Sequence, residues 1–549
     1  MGEKRTIIIV GAGYDALYAA SSARLANERA RIVVVADGDC QMLEHDKDLL
    51  LTSQHSERNI ALDDTFRKKY SLEILRPAQA YSLDVDAQTV GIKYLDCHER
   101  YSYDTLIFAP QGKRASIEAL PCLPGIRGFS TEQDIFAVRQ AFDQGARTAV
   151  VLGLSPQGIH ACCVLTSLGM NVIALDEKSR IMPEFSWVRS HEILQSIRKL
   201  PVDIKLNLKI VNVLETDAKS LKITLSNGES IYSDRIFDCR SLMPDVDLLA
   251  DAGALLDGSS LIVVNEHLHT TLPNIFACGL SVAAFRSVSH EKSFMPYEMV
   301  REHLAFVAGK NAALPTKIQE KVRPLCGTLR ILIHDRIFVR SGMSEHEARD
   351  FFGDEGYFSL SVAHPSLDVG MKVLLKKPLN TIIGAELYGH EIIDTLAPAI
   401  SLSIQHGLSL EDMRGVEYSH SALQKLIDDA ALSAHGATVE DLPLVQLEGL
   451  ALWIAHHKDF SMINIDDEPT SWGALANKAF HIPLEELPKR MDDLAQYPHP
   501  LVLYSRSNSA RYLAHKMLAS YGVGQVFQLD GAGHDKAFLL PPKEREFSL

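Results

Sequence analysis

Gly11-Ala12-Gly13-Tyr14-Asp15-Ala16 follows a β-branched run, Thr6–Val10, and precedes an alanine-rich stretch that reaches about Ala26. In that order the residues can cradle a diphosphate. The first glycine makes a tight turn and the second lets a pyrophosphate approach the backbone. The small Ala16 packs helix on strand, and the helix N-terminus supplies positive potential. Asp37 ends the next strand, Arg31–Val35, where a carboxylate would accept from a ribose hydroxyl. The alternative is a tight strand-to-helix turn with no ligand. A second copy, Gly153-Leu154-Ser155-Pro156-Gln157-Gly158, keeps the outer glycines and puts a side chain, Ser155, where a pyrophosphate would approach. Pro156 also removes one backbone donor. Asp176 takes the ribose position there. A working nucleotide site and a strand–helix–strand unit without a ligand both fit this second copy.

The eight cysteines, at 40, 97, 122, 162, 163, 239, 278 and 326, form no CxxC pair and no regular spacing. This suits reduced thiols in a cytosol and gives no metal site. Cys162 and Cys163 read as buried small residues of a helix, and His160 as a partly buried helix histidine rather than a base. The net charge of −15, from 55 basic and 70 acidic side chains, argues against a nucleic-acid or anionic-membrane binder. No apolar run approaches the roughly 18–20 residues of a membrane span. The start, MGEKRTIIIVGAG, runs straight into the glycine turn and reads as a plain cytosolic start rather than a signal peptide.

Positioning these residues takes several domains, since 549 residues exceed any single core. Thr6 to Asp37 reads as a parallel strand–helix–strand unit. The pattern recurs about 140 residues later, with strand Arg147–Leu152, a helix through Leu168, and strand Asn171–Leu175. Further strands are expected at Thr89–Tyr94, Tyr103–Phe108, Ile210–Val213, Lys222–Leu225, Arg235–Phe237, Leu261–Val264 and Asn274–Ala277. A helix over Pro296–Ala308 leads to a linker at Ala313–Lys317. A third region, to about Ala437, alternates strands (Leu329–Ile333, Phe338–Ser341, Met371–Leu375, Thr381–Leu387) with a helix near Glu391–His406. His435–Val445 reads as a second linker. The last hundred residues are again α/β, with strands Ser461–Ile465, Leu501–Tyr504 and Gln525–Gln528 and a helix Ala510–Tyr521.

Four segments carry a family resemblance by their order and spacing: YDTLIFAP at Tyr103–Pro110, LPNIFACG at Leu272–Gly279, IIGAELYGHEIIDTLAPAIS from Ile382, and AFHIPLEELPKR at Ala479–Arg490. The chain resembles the FAD- and NAD(P)H-dependent pyridine nucleotide-disulfide oxidoreductases. Within them it is most similar to the coenzyme A-disulfide and NADH-dependent persulfide reductases with a C-terminal rhodanese domain. The resemblance implies an α/β fold: two Rossmann-like dinucleotide-binding domains, an α+β dimerisation domain and a rhodanese-like α/β domain. It implies a split FAD-binding domain over 1–112 and 240–315, an NAD(P)-binding domain over 113–239, a dimerisation domain over 323–437 and a rhodanese-like domain over 447–536. FAD contacts would fall on Gly11, Gly13, Ala16, Asp37 and Gly279, and NAD(P)H contacts on Gly153, Gly158 and Asp176. A homodimer and a small thiol or sulfur substrate follow from the same resemblance, while the cysteine pattern and the first residues imply a cytoplasmic location.

The departures from the family pattern fall on its chemistry. The redox cysteine is expected about ten residues past the second-strand acid, and no cysteine stands between Gln41 and Leu49. Cys40 is either a displaced nucleophile or a bystander thiol. Leu280 stands at the FAD-contacting aspartate and cannot accept a hydrogen bond. The segment Ala109-Pro110-Gln111-Gly112 is altered as well. Tyr418 matches a tyrosine that the family presents towards the partner subunit's active site, which makes it a catalytic candidate, and His364-Pro365 lies where the family has a tyrosine-rich stretch; these residues either line a pocket or serve as interface packing. In the tail, Ser505 takes the place of the sulfur-carrying cysteine, with no base evident beside it in the local sequence, and Asn464 and Asp466 fall near where the family tends to have Asp and Arg. The loop then either holds an anion through Arg506 or Arg511 or is a folded module without a ligand. Two readings of function remain open: an FAD-dependent oxidoreductase without the usual thiol relay, and a catalytically silent relative acting as a nucleotide-binding, scaffolding or regulatory protein.

Overall fold

The structure is a computed structural model that describes residues 5–38, 67–95, 97–113, 123, 125–216, 220–364, 367–439, 443–445, 447–456, 458–466, 478–494, 496–505 and 508–529. The chain divides into two compact units, Met1–Met182 with Ile193–Thr328, and Pro183–Glu192 with Leu329–Leu549.

In the first unit, β1 (Thr6–Val10), α1 (Tyr14–Ala26) and β2 (Arg31–Val35) form the expected parallel unit. The sheet runs Ile275–Ala277, Thr105–Phe108, β1, β2, Glu73–Leu75, all parallel. Its strands are continuous apolar runs because both faces are covered; Ile7, Ile8, Ile9 and Val33 are fully buried. A second parallel sheet is built on β3 (Thr148–Leu152), α2 (Pro156–Ser167) and β4 (Asn171–Asp176). Its order is Val202–Leu206, β4, β3, Arg235–Asp238, Ile126–Arg127. Two three-stranded antiparallel sheets accompany them, Ala78–Asp84 with Thr89–Tyr94 and Cys97–Ser102, and Ile210–Glu215 with Leu221–Leu225 and Ser230–Ser233. The helix α3 (Glu298–Ala313) lies against α1 at close range. A Cβ on Gly309 would fall 2.0 Å from the Ala19 carbonyl oxygen, and Ser22 Oγ donates to the Phe306 carbonyl at 2.6 Å.

Two expectations fail in this unit. Leu261–Val264 is not a strand; only Ile262 makes isolated bridges, to Leu256 and Val282. Its apolar side chains are buried in the core, so hydrophobicity without ladder pairing explains the pattern. The helix α3 runs five residues past Ala308, taking in Ala313 from the expected linker. Residues 309–313 are Gly-Lys-Asn-Ala-Ala, and packing on α1 holds them helical despite the glycine.

In the second unit an antiparallel sheet runs Leu329–Ile333, Arg336–Gly342, Thr381–Gly389, Gly370–Lys376, Tyr357–Ala363. The helix Ile393–His406 covers it and ends on Gly407, which takes the left-handed conformation (φ 64°). A row of buried charges crosses this sheet: Arg340, Glu386 and Lys372 are direct register partners, none more than 6% exposed. Each has its own counter-group. Arg340 pairs with Glu347, Lys372 with Glu345, and Glu386 accepts from both the backbone N–H and the hydroxyl of Ser186.

The tail sheet contains β5 (Ser461–Asn464) and β6 (Leu501–Tyr504). Its order is Leu444–Val445, Val526–Leu529, β6, β5, Ala479–His481, all parallel. Alternate residues feed two cores. Met462, Val502 and Tyr504 face one, while Ile463, Leu501 and Leu503 face the other, together with Ala514 and Leu518 of α4 (Asn508–Ser520). Within the linker expected over His435–Val445, the helix Ser421–Val439 takes in the first residues, and Leu444–Val445 is already the edge strand of the tail sheet.

Candidate dinucleotide sites and the tail crevice

The first glycine turn has the shape a diphosphate requires. Gly11 has φ +155°, and a Cβ there would lie 1.9 Å from the Ala109 carbonyl oxygen, so only glycine fits. Its N–H donates to the Val35 carbonyl at 2.9 Å, which ties the turn to β2. Gly13 is the N-cap of α1, and no side chain caps that terminus. Ala16 is fully buried against the turn, with its Cβ 3.3 Å from a Cβ on Gly11. Asp37 is exposed just beyond β2. Glycine cradle, uncapped helix terminus and exposed acid fit the diphosphate and ribose of a dinucleotide.

Three neighbours shape this site. The Gln111 side chain lies over Gly13, its Cγ 3.0 Å from a Cβ placed there. Leu280 is buried, with Cδ1 2.9 Å from a Cβ on Gly112. Asp15, in the first turn of α1, is 2% exposed and pairs with Arg301 of α3 at 2.9 and 3.0 Å. Burial pushes the Asp15 carboxyl up, and Arg301 offsets part of that. Gly279 has φ +72°, and a Cβ on it would meet Asp15 Oδ2 at 2.4 Å. The Asp15 carboxylate therefore leaves room only for glycine at 279. Cys278 beside it is fully buried, and burial holds its thiol well above the ordinary range.

The second turn is closed more tightly. Gly158 would place a Cβ 1.9 Å from the Gly153 carbonyl oxygen, and a Cβ on Gly153 would meet Arg240 at 3.0 Å. Ser155 turns back on its own helix. Its Oγ accepts from the Gly158 N–H at 3.2 Å and donates to the Cys239 carbonyl at 2.7 Å, making it the N-cap, with Pro156 at the first helical position. Asp176 accepts from the backbone N–H groups of Leu154 (2.7 Å) and Lys178 (2.9 Å). Its carboxylate thus braces the turn as well as standing at the strand end. Cys162 is buried and unpaired with any other cysteine, Cys163 half-buried. His160, 9% exposed, sits edge-on to Phe129 at 6.2 Å.

Cys40 lies outside the described residues, as do Pro365 and Arg506. Tyr418 donates its hydroxyl to the Met413 carbonyl of its own chain at 3.2 Å, and burial pushes its pKa up to about 12. His364 is held below its usual range by burial and by Lys425. In the tail, Ser505 does have a base beside it, contrary to the local reading of the sequence. Its Oγ donates to Asp466 Oδ1 at 2.5 Å, across the 39 residues that separate β5 from β6. Arg511, expected to be available to an anion, is 3% exposed. Among the described residues no group of three or more His, Cys, Asp or Glu side chains could hold a metal ion, and no helix is long and apolar enough to cross a membrane.

Known proteins share this architecture. Residues 5–292 match the pyridine nucleotide-disulphide oxidoreductase family. An NADH oxidase of Methanocaldococcus jannaschii is 21% identical over 449 residues, 75% of this chain and 94% of that protein. The NAD(P)H coenzyme A polysulfide/persulfide reductase of Pyrococcus horikoshii is 21% identical over 64% of this chain and 78% of its own. Among solved structures, the NAD-dependent persulfide reductase from A. fulgidus superposes with a TM-score of 0.81, covering 97% of this chain and 100% of that one at 19% identity. The reduced Bacillus anthracis CoADR-RHD superposes with 0.83, covering 98% and 99%, also at 19%. At such identities the two structures establish a shared fold, and the family match, which spans more than half of the sequence, establishes descent: this chain belongs to the pyridine nucleotide-disulphide oxidoreductases.

Proposed function

We propose that the chain is an FAD-dependent oxidoreductase that takes electrons from NAD(P)H, related in substrate class to the coenzyme A-disulfide and persulfide reductases but working without their cysteine relay. The observation that carries this is the glycine turn between β1 and α1, where Gly11 makes the tight turn against Ala109, Gly13 begins a helix whose N-terminus no side chain caps, and the exposed Asp37 offers a carboxylate to a ribose. Bound there, a flavin supplies two-electron redox chemistry. The protein's own part is to hold the diphosphate on the N-terminus of α1 and to keep water from the apolar strands beneath. NAD(P)H falls to the second turn, at Gly153, Gly158 and Asp176. The substrate is a small thiol or sulfur compound. The 323–437 region serves as a homodimer interface, and the tail beyond Leu447 is rhodanese-like without sulfurtransferase activity, in a cytoplasmic protein.

A second reading, a silent relative that keeps the fold, is favoured by Leu280 and Gln111. Leucine supplies no acceptor at the position where the family places a carboxylate, and one lost contact of this kind costs about 1–3 kcal/mol. Gln111 occupies the space over Gly13. The two readings part on the colour of purified protein. A bound flavin gives a yellow solution and added FAD raises the melting temperature. A colourless protein with no thermal shift selects the silent reading.

A further inference from the structure

The second glycine of a strand–turn–helix nucleotide site leaves out a Cβ so that a diphosphate can reach the backbone. The space where a Cβ on Gly13 would lie is therefore the ligand's. In this chain a side chain from another segment holds it. Gln111 lies there with Cγ 3.0 Å, Nε2 3.7 Å and Cδ 3.8 Å from that position. All three are atoms of one flexible side chain, which can leave by rotation. The backbone beneath it is pinned on both sides. The Ala109 N–H donates to the Val10 carbonyl at 2.9 Å, and the Ala109 carbonyl oxygen abuts Gly11. Pro110 has a fixed φ. Gly112 takes φ +85°, where a Cβ would meet the Met243 carbonyl oxygen at 2.7 Å and Leu280 Cδ1 at 2.9 Å. Lys113 and Met243 exchange both backbone hydrogen bonds, at 2.8 and 2.6 Å. The segment is thus tied to β1 at one end and to Met243 at the other, and rotation of the Gln111 side chain is the movement that clears Gly13.

We propose that Gln111 is a side-chain gate on the first glycine turn: it sits in the diphosphate's seat, must rotate out before a dinucleotide binds, and so sets how tightly the chain holds FAD. The inference rests on the flavin reading and deepens it. The physical reason is that a ligand binds only the fraction of molecules whose site is open. If the rotamer that clears Gly13 is populated about one time in ten, the apparent affinity falls about tenfold below that of a permanently open turn. The gate is steric and uncharged. It acts on the turn itself, whose remaining parts, the Gly11 bend and the uncapped start of α1, keep the shape a diphosphate needs. A side chain that stops short of Gly13 therefore opens the site without altering its donors.

The test measures the Kd for FAD, by quenching of flavin fluorescence, in the full-length unmodified chain, in Gln111→Ala and in Gln111→Glu. The expected result is a Kd about tenfold or more lower in Gln111→Ala than in the unmodified chain. Gln111→Glu keeps the length of the side chain, fills the same seat, and should bind no more tightly than the unmodified chain. Equal binding by the unmodified chain and Gln111→Ala overturns the gate and leaves the flavin reading standing. Weaker binding by Gln111→Ala overturns it too, because the carboxamide would then be a contact to the ligand. Binding by none of the three proteins overturns both the gate and the flavin reading. Should Gln111→Ala fail to fold, Gln111→Ser, which also stops short of Gly13, is read by the same criteria.

Discussion

Replacing Asp15 by alanine takes a buried carboxylate away from a largely buried cation, Arg301. Arg301 keeps a side-chain exposure of 13% and loses the carboxylate that meets it at 2.9 and 3.0 Å, itself only 3% exposed. Breaking a buried pair from one side costs about 3–5 kcal/mol, whereas exchanging both partners for apolar side chains is often close to neutral. Burial outweighs Arg301 in setting the Asp15 pKa, so the carboxylate is itself costly to bury. Asp15→Leu/Arg301→Met should therefore recover most of what Asp15→Ala loses. At about 2–4 °C per kcal/mol for a large unit, the single variant should melt roughly 10 °C lower. The assay is scanning calorimetry of the full chain, with the transition of the first unit identified as the one that moves, since two units need not unfold as one step. A single variant within about 1 kcal/mol of the parent would refute the reasoning, as would a double variant as unstable as the single.

Three further outcomes are expected. Burial pushes the His515 pKa down to about 4, well below its unfolded value of about 6.5; folding therefore favours the neutral ring, and that stability is present above about pH 6.5 and lost as the pH falls towards 4. His515→Gln should flatten this slope in pH-dependent melting of the tail, and an unchanged slope would place the acid sensitivity elsewhere. Light scattering at micromolar protein should give twice the chain mass, because a dimer built on 323–437 should bury on the order of 2,000 Å² or more; a clean monomer defeats the dimer. NAD(P)H-dependent turnover of coenzyme A disulfide should be absent or very low, and robust turnover abolished by Cys40→Ala would show that Cys40 had taken over the relay.

The sequence made the parallel units legible because their strands are β-branched runs ending in glycine and acid; Thr6–Val10 and Arg31–Val35 match the structure residue for residue. It hid elements whose signal is not hydrophobic. Glu73–Leu75 is a three-residue edge strand, and Cys97–Ser102 is mostly polar and exposed. Charges buried by pairing were equally silent. Nothing local marks Arg340, Lys372 and Glu386 as one row, since cross-strand register brings them together. The same holds at the candidate sites. Gly11 and Gly13 announce themselves by spacing. The Asp15–Arg301 pair spans 286 residues and the Ser505–Asp466 bond 39, distances over which composition carries no information. Ser155 looked like an obstruction and is a helix cap, because a hydroxyl at that position can fold back on its own N–H groups.

The most direct test of the flavin reading is an anaerobic titration of the purified, FAD-supplemented chain with NADH, followed at the visible flavin band. The account predicts a protein-bound flavin that bleaches on addition of NADH and recovers its colour when air is admitted, with Gly11→Ala failing to retain the flavin because its Cβ would strike the Ala109 carbonyl. A chain that retains no flavin, or a bound flavin that NADH leaves unchanged, would contradict it.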